Sequence, residues 1–144
     1  MDGEIFYGAA YRGSKQYSQH DIKTADATGF GAAADDYAER GIDLNEQLIK
    51  NKPATFFMRV RGDAMVGAGI HDGDIVIVDR SAKVVSGKVV IAILNGEMLI
   101  RRLEKTFNKI RLVPETARLS AIEIDPSGHE FSVWGVVTYS IHTP

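Results

Sequence analysis

The stretch GDAMVGAGIHDGDIVIVD, Gly62 to Asp79, sits between two strand signals and decides how the rest of the chain is read. Before it, TFFMRVR (Thr55–Arg61) is rich in β-branched and aromatic residues; its own end, IVIVD (Ile75–Asp79), is another such run. Glycines at 62, 67, 69 and 73 allow the chain between them to fold back tightly, and Asp72-Gly73-Asp74 reads as the turn that feeds the second strand. Alone, a loop of this composition is only a connection. Working outward, KVVIAIL (Lys88–Leu94), EMLIRRL (Glu97–Leu103), KIRLV (Lys109–Val113) and FSVWGVVTYSI (Phe131–Ile141) also read as strands, bounded by Gly, Asp, Asn or Pro. Asn95-Gly96 joins two of them as a two-residue hairpin, since both residues accept positive φ. The spacing predicts a mainly β fold, a compact curled antiparallel sheet rather than βαβ units.

Upstream the character changes. Residues 1–31 are rich in Gly, Ser, Gln, Asp and Ala, with isolated aromatics at Phe6, Tyr7, Tyr11 and Tyr17 and no sustained period. They read as an extended N-terminal arm, either docking through its aromatics or simply loose, and residues 32–144 as the β-rich domain. Within that domain AAADDYAER (Ala32–Arg40) predicts a short helix. After Gly41, Asp43-Leu44-Asn45-Glu46 reads as a capping box that starts a helix through Leu48 and Ile49, stopping before Pro53.

Composition excludes several function classes. The chain has 144 residues, 44% apolar and 25% charged, ordinary values for one globular domain. It has no cysteine, which removes disulfides, thiol catalysis and the usual ligands of a structural zinc site. His20, His71, His129 and His142 are scattered, with no pair at ligand spacing, so neither metal nor cofactor is expected. A net charge of −2 gives no general attraction to nucleic acid. The start MDGEIFYGAAYRG lacks the apolar core of a signal peptide, and no apolar run reaches membrane-spanning length. The expectation is a soluble cytoplasmic protein.

The loop then becomes specific. G-D-x-M, a short Gly-rich stretch, and G-I-x-x-G-D-x-x-x-V-D resemble the catalytic segment of the LexA/UmuD family of self-cleaving peptidases. In that family the x of G-D-x-M is a serine, and a lysine follows in G-E-x-x-x-K-x-L after a hairpin. Here those positions hold Ala64 and Arg101, which lies 101 − 64 = 37 positions on, in NGEMLIRRL (Asn95–Leu103). GFGAAADDYAERGIDLNEQLI (Gly29–Ile49) is similar to the UmuD stretch joining arm and body, and VWGVVTYSI (Val133–Ile141) to its last strand. The resemblance covers residues 28–141. It implies the LexA/UmuD C-terminal fold, a homodimer, and self-cleavage stimulated by the RecA–DNA filament. The scissile bond falls by alignment at Thr28-Gly29.

The chemistry needs both members of the pair. A serine hydroxyl is a weak nucleophile until a base takes its proton, and lysine can be that base only where burial makes its neutral amine available. Ala64 has no hydroxyl, and arginine at 101 stays protonated. The sequence therefore predicts a chain unable to cut itself. Three readings stay open. The first is a UmuD-like accessory subunit of an error-prone translesion polymerase of the UmuC type in the bacterial SOS response, acting on the polymerase or on an active UmuD or LexA paralogue. The second is a Ser-Lys peptidase captured as an inactivated variant, and the third a phage- or plasmid-borne decoy pairing with host UmuD or LexA. A repressor role, and with it direct sequence-specific DNA binding, is not expected, because about 30 polar residues before the body are too few for a DNA-binding domain. Arg101, Arg102, Lys105, Lys109 and Arg111 are expected to be a solvated hairpin. Phe56-Phe57 and the final strand are candidates for the dimer surface.

Overall fold

The computed structural model describes the main chain of residues 5–10 and the whole of residues 41–144. The predicted helix over Ala32–Arg40 and the Thr28-Gly29 bond lie outside the described residues. Two compact units divide the chain, residues 12–53 and residues 1–11 with 54–144.

In the first unit, α1 (Leu44–Leu48) forms where the capping signal places it. The Asp43 carboxylate accepts the Asn45 amide at 3.0 Å, satisfying one of the donors that a helix start leaves open. Ile49 is already extended and ends the helix.

The second unit is one eight-stranded antiparallel sheet of β1 (Ile5–Ala10), β2 (Thr55–Val60), β3 (Ile75–Asp79), β4 (Val89–Leu94), β5 (Glu97–Lys105), β6 (Ile110–Val113), β7 (Ile122–Glu123) and β8 (Phe131–Ile141). The order across it is β1-β2-β3-β8-β4-β5-β6-β7. The mainly β, antiparallel expectation is met. Asn95 and Gly96 have φ of 50° and 85°, the two positive values that a tight β4–β5 turn requires. Two strands escaped the sequence reading. β7 is two residues long, and β1 arises within the predicted arm, pairing with the edge of β2 (Ile5↔Val60, Tyr7↔Met58).

β8 is the hub. Its C-terminal half pairs with β3 and its N-terminal half with β4, each with a register shift that leaves one extra β8 residue. Such bulges bend a strand and increase local twist. The central strands are buried on both faces: Val90, Ile91 and Ala92 are consecutive and fully covered. Ile91 and Ile100 join one apolar cluster with Met58, Val60, Ala64, Met65, Val76 and Val78. Val90, Ala92, Leu99, Leu103 and Leu112 form a second. A sheet covered on both faces around β4 and β5 places the loop after β2 against one of its packed sides.

Candidate functional site

The loop after β2 is held by its main chain. From Asp63 to Ile70 it coils through a single 3-10 turn, Val66–Ala68, with the Gly69 and Ile70 amides donating back to Val66 and Met65 at 3.0 and 3.2 Å. Its entry is fixed by the Gly62 amide donating to the Asp72 carboxylate at 2.7 Å. A second segment clamps its middle. The Glu115 amide donates to the Ala64 carbonyl at 2.7 Å, and the Gly67 amide donates to the Glu115 carbonyl at 2.8 Å. Gly67 is required there because a Cβ would stand 2.6 Å from that carbonyl oxygen. The Asp63 carboxylate also pairs with Arg118.

Both positions that the sequence resemblance singled out are deeply buried. Ala64 is 1% exposed, and its methyl group belongs to the first apolar cluster. Arg101 is 2% exposed on β5, opposite Val90 and next to Ile100 of the same cluster as Ala64. Its Nη1 donates to the Ile100 carbonyl at 2.8 Å. The solvated-hairpin expectation fails at this residue, because β5 is an interior strand covered on both faces. The neighbours do reach solvent, where three of them form surface ion pairs. Arg102 bonds Glu115 at 2.7 Å, Arg111 pairs with Glu104, and Lys109 with Glu123 at 3.2 Å.

Glu115 was not singled out by sequence, yet it ties the two positions together. Its backbone holds the Ala64–Gly67 loop, while its carboxylate takes the Arg102 guanidinium one residue beyond Arg101. Arg102 also donates to the Gly87 carbonyl at 2.7 Å. The geometry therefore keeps the loop and β5 in fixed relation. It offers at position 64 no hydroxyl to attack a carbonyl, and at 101 a cation that cannot accept a proton.

The next turn gathers chemistry the sequence reading passed over. The pairing Ile75↔Ile141 sets Asp74 beside His142, although 68 positions separate them. His142 Nδ1 lies 2.6 Å from Asp74 Oδ1, and the His71 amide donates to Oδ2 at 2.8 Å. The His71 and His142 rings lie against each other, tilted by 39° with 4.6 Å between centroids. The histidines without ligand spacing in the sequence are thus partly brought together in space. Burial pushes the Asp74 carboxyl up, but the His71 amide and the His142 imidazole outweigh this and hold it below the usual carboxylate range. Among the described residues no helix is long and apolar enough to cross a membrane.

Comparison with known proteins gives this geometry its context. The Peptidase S24-like family model matches residues 22–138. Over 115 residues the chain is 34% identical to protein MucA of Salmonella typhimurium, covering 80% of this chain and 78% of MucA. It is 38% identical over 119 residues to protein SamA of the same species, covering 79% and 78%. The LexA repressor of Bordetella petrii is 32% identical over 117 residues, 81% of this chain and 51% of the repressor.

Proposed function

Because the chain belongs to the Peptidase S24-like family, as a UmuD-like member, we propose that it is a non-cleaving accessory subunit of an error-prone DNA polymerase in the bacterial SOS response. Family membership supports the broad class, error-prone repair. The observation that carries the finer reading is the chemistry of two buried positions. Where the family pattern calls for serine and lysine, this fold holds a methyl group and a guanidinium, in a loop whose main-chain frame is complete. A frame kept without its nucleophile suits binding rather than catalysis.

In this reading the protein is a cytoplasmic homodimer that engages a UmuC-type translesion polymerase. The RecA–DNA filament and an active UmuD or LexA paralogue are further partners, the latter able to cut the arm of residues 1–31 at Thr28-Gly29 in trans. The dimer uses the end of β8, where Thr138 to Ile141 are all exposed and Tyr139 and Ile141 leave large apolar side chains 41% and 48% exposed.

The test is direct. Purified protein incubated at alkaline pH, and separately with RecA filaments, stays at full length by intact mass. The same protein co-purifies with a UmuC-type polymerase. A shortened product beginning at Gly29 from the pure chain overturns the non-cleaving reading. Absence of a polymerase complex, with LexA or UmuD captured in its place, favours a decoy instead.

A further inference from the structure

The corner where β3 begins and β8 ends has donors without an assigned task. Two imidazoles and one carboxylate, His71, His142 and Asp74, present ligand atoms that all lie within 4.8 Å of one another. The carboxylate is 97% buried on its backbone turn, since Asp74 is only 3% exposed, while the two imidazole side chains are 43% and 47% exposed. His71 Nδ1 is shielded from solvent and has no hydrogen-bond partner among the described residues, although it stands 3.6 Å from Asp74 Oδ2. A covered ring nitrogen facing a carboxylate at that distance, with no hydrogen-bond partner, is placed to share a cation with it.

We propose that His71, Asp74 and His142 form a binding site for a divalent cation of the zinc type. Donor chemistry selects the class. Two imidazoles and one carboxylate suit borderline ions, whereas calcium and magnesium prefer sets made only of oxygens. Three protein ligands leave at least one position open to water or to an incoming group. Tetrahedral ligand atoms at about 2.0–2.2 Å from zinc lie about 3.4 Å apart, so the 3.6 Å His71–Asp74 separation already fits. The 2.6 Å His142–Asp74 contact opens by a small rotation of an exposed imidazole.

The frame beneath the site is rigid where it must be. The Gly73 amide donates to the Val60 carbonyl and the Val60 amide to the Asp74 carbonyl, both at 2.8 Å, pinning the turn to the end of β2. Arg59 donates to the Gly73 carbonyl at 2.8 Å from the same strand. Ligands from a turn and from the end of a distant strand mean that the cation fastens β8 to the loop region. The site is independent of the polymerase reading and of the Ala64 position.

The experiment uses the untagged full-length chain after treatment with a chelator. Calorimetric titration with Zn²⁺ gives one equivalent per chain, and Co²⁺ gives the visible absorption of a low-symmetry site with nitrogen and oxygen ligands. His71→Ala and His142→Ala each weaken Zn²⁺ binding by at least about tenfold, since removing a ligand costs no less than removing the outer partner of one. His129→Ala, elsewhere on the surface, leaves it unchanged. Far-ultraviolet circular dichroism of both variants matches the parent, because the two rings are half exposed. No saturable one-equivalent binding by the parent chain overturns the proposal. So does binding that survives in both folded variants, or that is lost equally in His129→Ala.

Discussion

Two neighbouring turns of one segment treat side-chain chemistry in opposite ways. The loop from Gly62 to Gly69 is fixed by its own amides, by Asp72 and by the backbone of Glu115, and position 64 within it contributes only a buried methyl. The turn from His71 to Asp74 is likewise pinned by amides, but what it presents is a carboxylate and one half-exposed imidazole, met by the half-exposed imidazole of His142 from the end of β8. The first turn is a frame that does not depend on residue 64's side chain, because no hydrogen bond that holds it involves that side chain. The second is chemistry laid on a frame, because Asp74 and His142 interact through side chains that the register of β3 and β8 merely brings within reach. The side chain at position 64 and the side chains around Asp74 can therefore change without changing the main-chain frame that holds either turn.

The largest effect available is to refill the empty frame. Ala64→Ser combined with Arg101→Lys supplies a hydroxyl and an amine at two positions 1% and 2% exposed, where burial favours the neutral amine. The expected result is cleavage after Thr28, seen by mass spectrometry as a product starting at Gly29, against none for the parent. Ala64→Ser alone stays uncut, since arginine supplies no base. A folded double variant that never cuts shows that the site has lost more than these two groups.

Next in size is a break in the frame itself. Gly67→Ala puts a Cβ 2.6 Å from the Glu115 carbonyl oxygen, a main-chain atom that cannot rotate away, and strains the amide bond between them. Overpacking together with a weakened hydrogen bond destabilises by about 3 kcal/mol, read as a lower urea midpoint at unchanged slope. On the neighbouring turn His71→Ala, made in metal-free buffer, changes stability by no more than about 0.5 kcal/mol, because the imidazole is half exposed and the turn rests on its amide. Equal losses in the two variants erase the distinction between frame and chemistry.

What could be read without coordinates follows the same division. The long strands were legible because each is a run of β-branched and aromatic residues between turn residues, and Asn95-Gly96 fixed one pairing outright. Asp43 announced α1 through the bond its carboxylate makes. β7 was too short to show a period, and β1, IFYGAA, lies in a Gly- and Ala-rich stretch with no sustained alternation to mark it. Ala64 and Arg101 were found only because the spacing of the surrounding glycines and acids resembles a known pattern. Arg101 nonetheless looked solvated, since strand alternation only splits the basic side chains between two faces, and the covering of β5 on both of them is a tertiary fact. Glu115 and the His71–Asp74–His142 corner were invisible for one reason. Each depends on segments far apart in sequence meeting, and local sequence carries no register between β3 and β8.

The remaining effect, smaller than that of Gly67→Ala, concerns the tie between frame and β5. Arg102 and Glu115 are each about a third exposed, so solvent screens their attraction and the pair contributes only about 0.5–1 kcal/mol. Glu115→Gln removes the charge while leaving the backbone amide and carbonyl that hold Ala64 and Gly67. Arg102→Ala removes the same pair and the donor to the Gly87 carbonyl, so it costs more, about 1–1.5 kcal/mol. A double-mutant cycle isolates the coupling, which shrinks between about 0.1 M and 1 M salt as the Debye length falls from roughly 10 to 3 Å. A coupling near zero at low salt means that the clamp is main chain alone. A coupling of several kcal/mol means instead that the loop depends on this ion pair, and the first of the two turns rests on side-chain chemistry as much as the second.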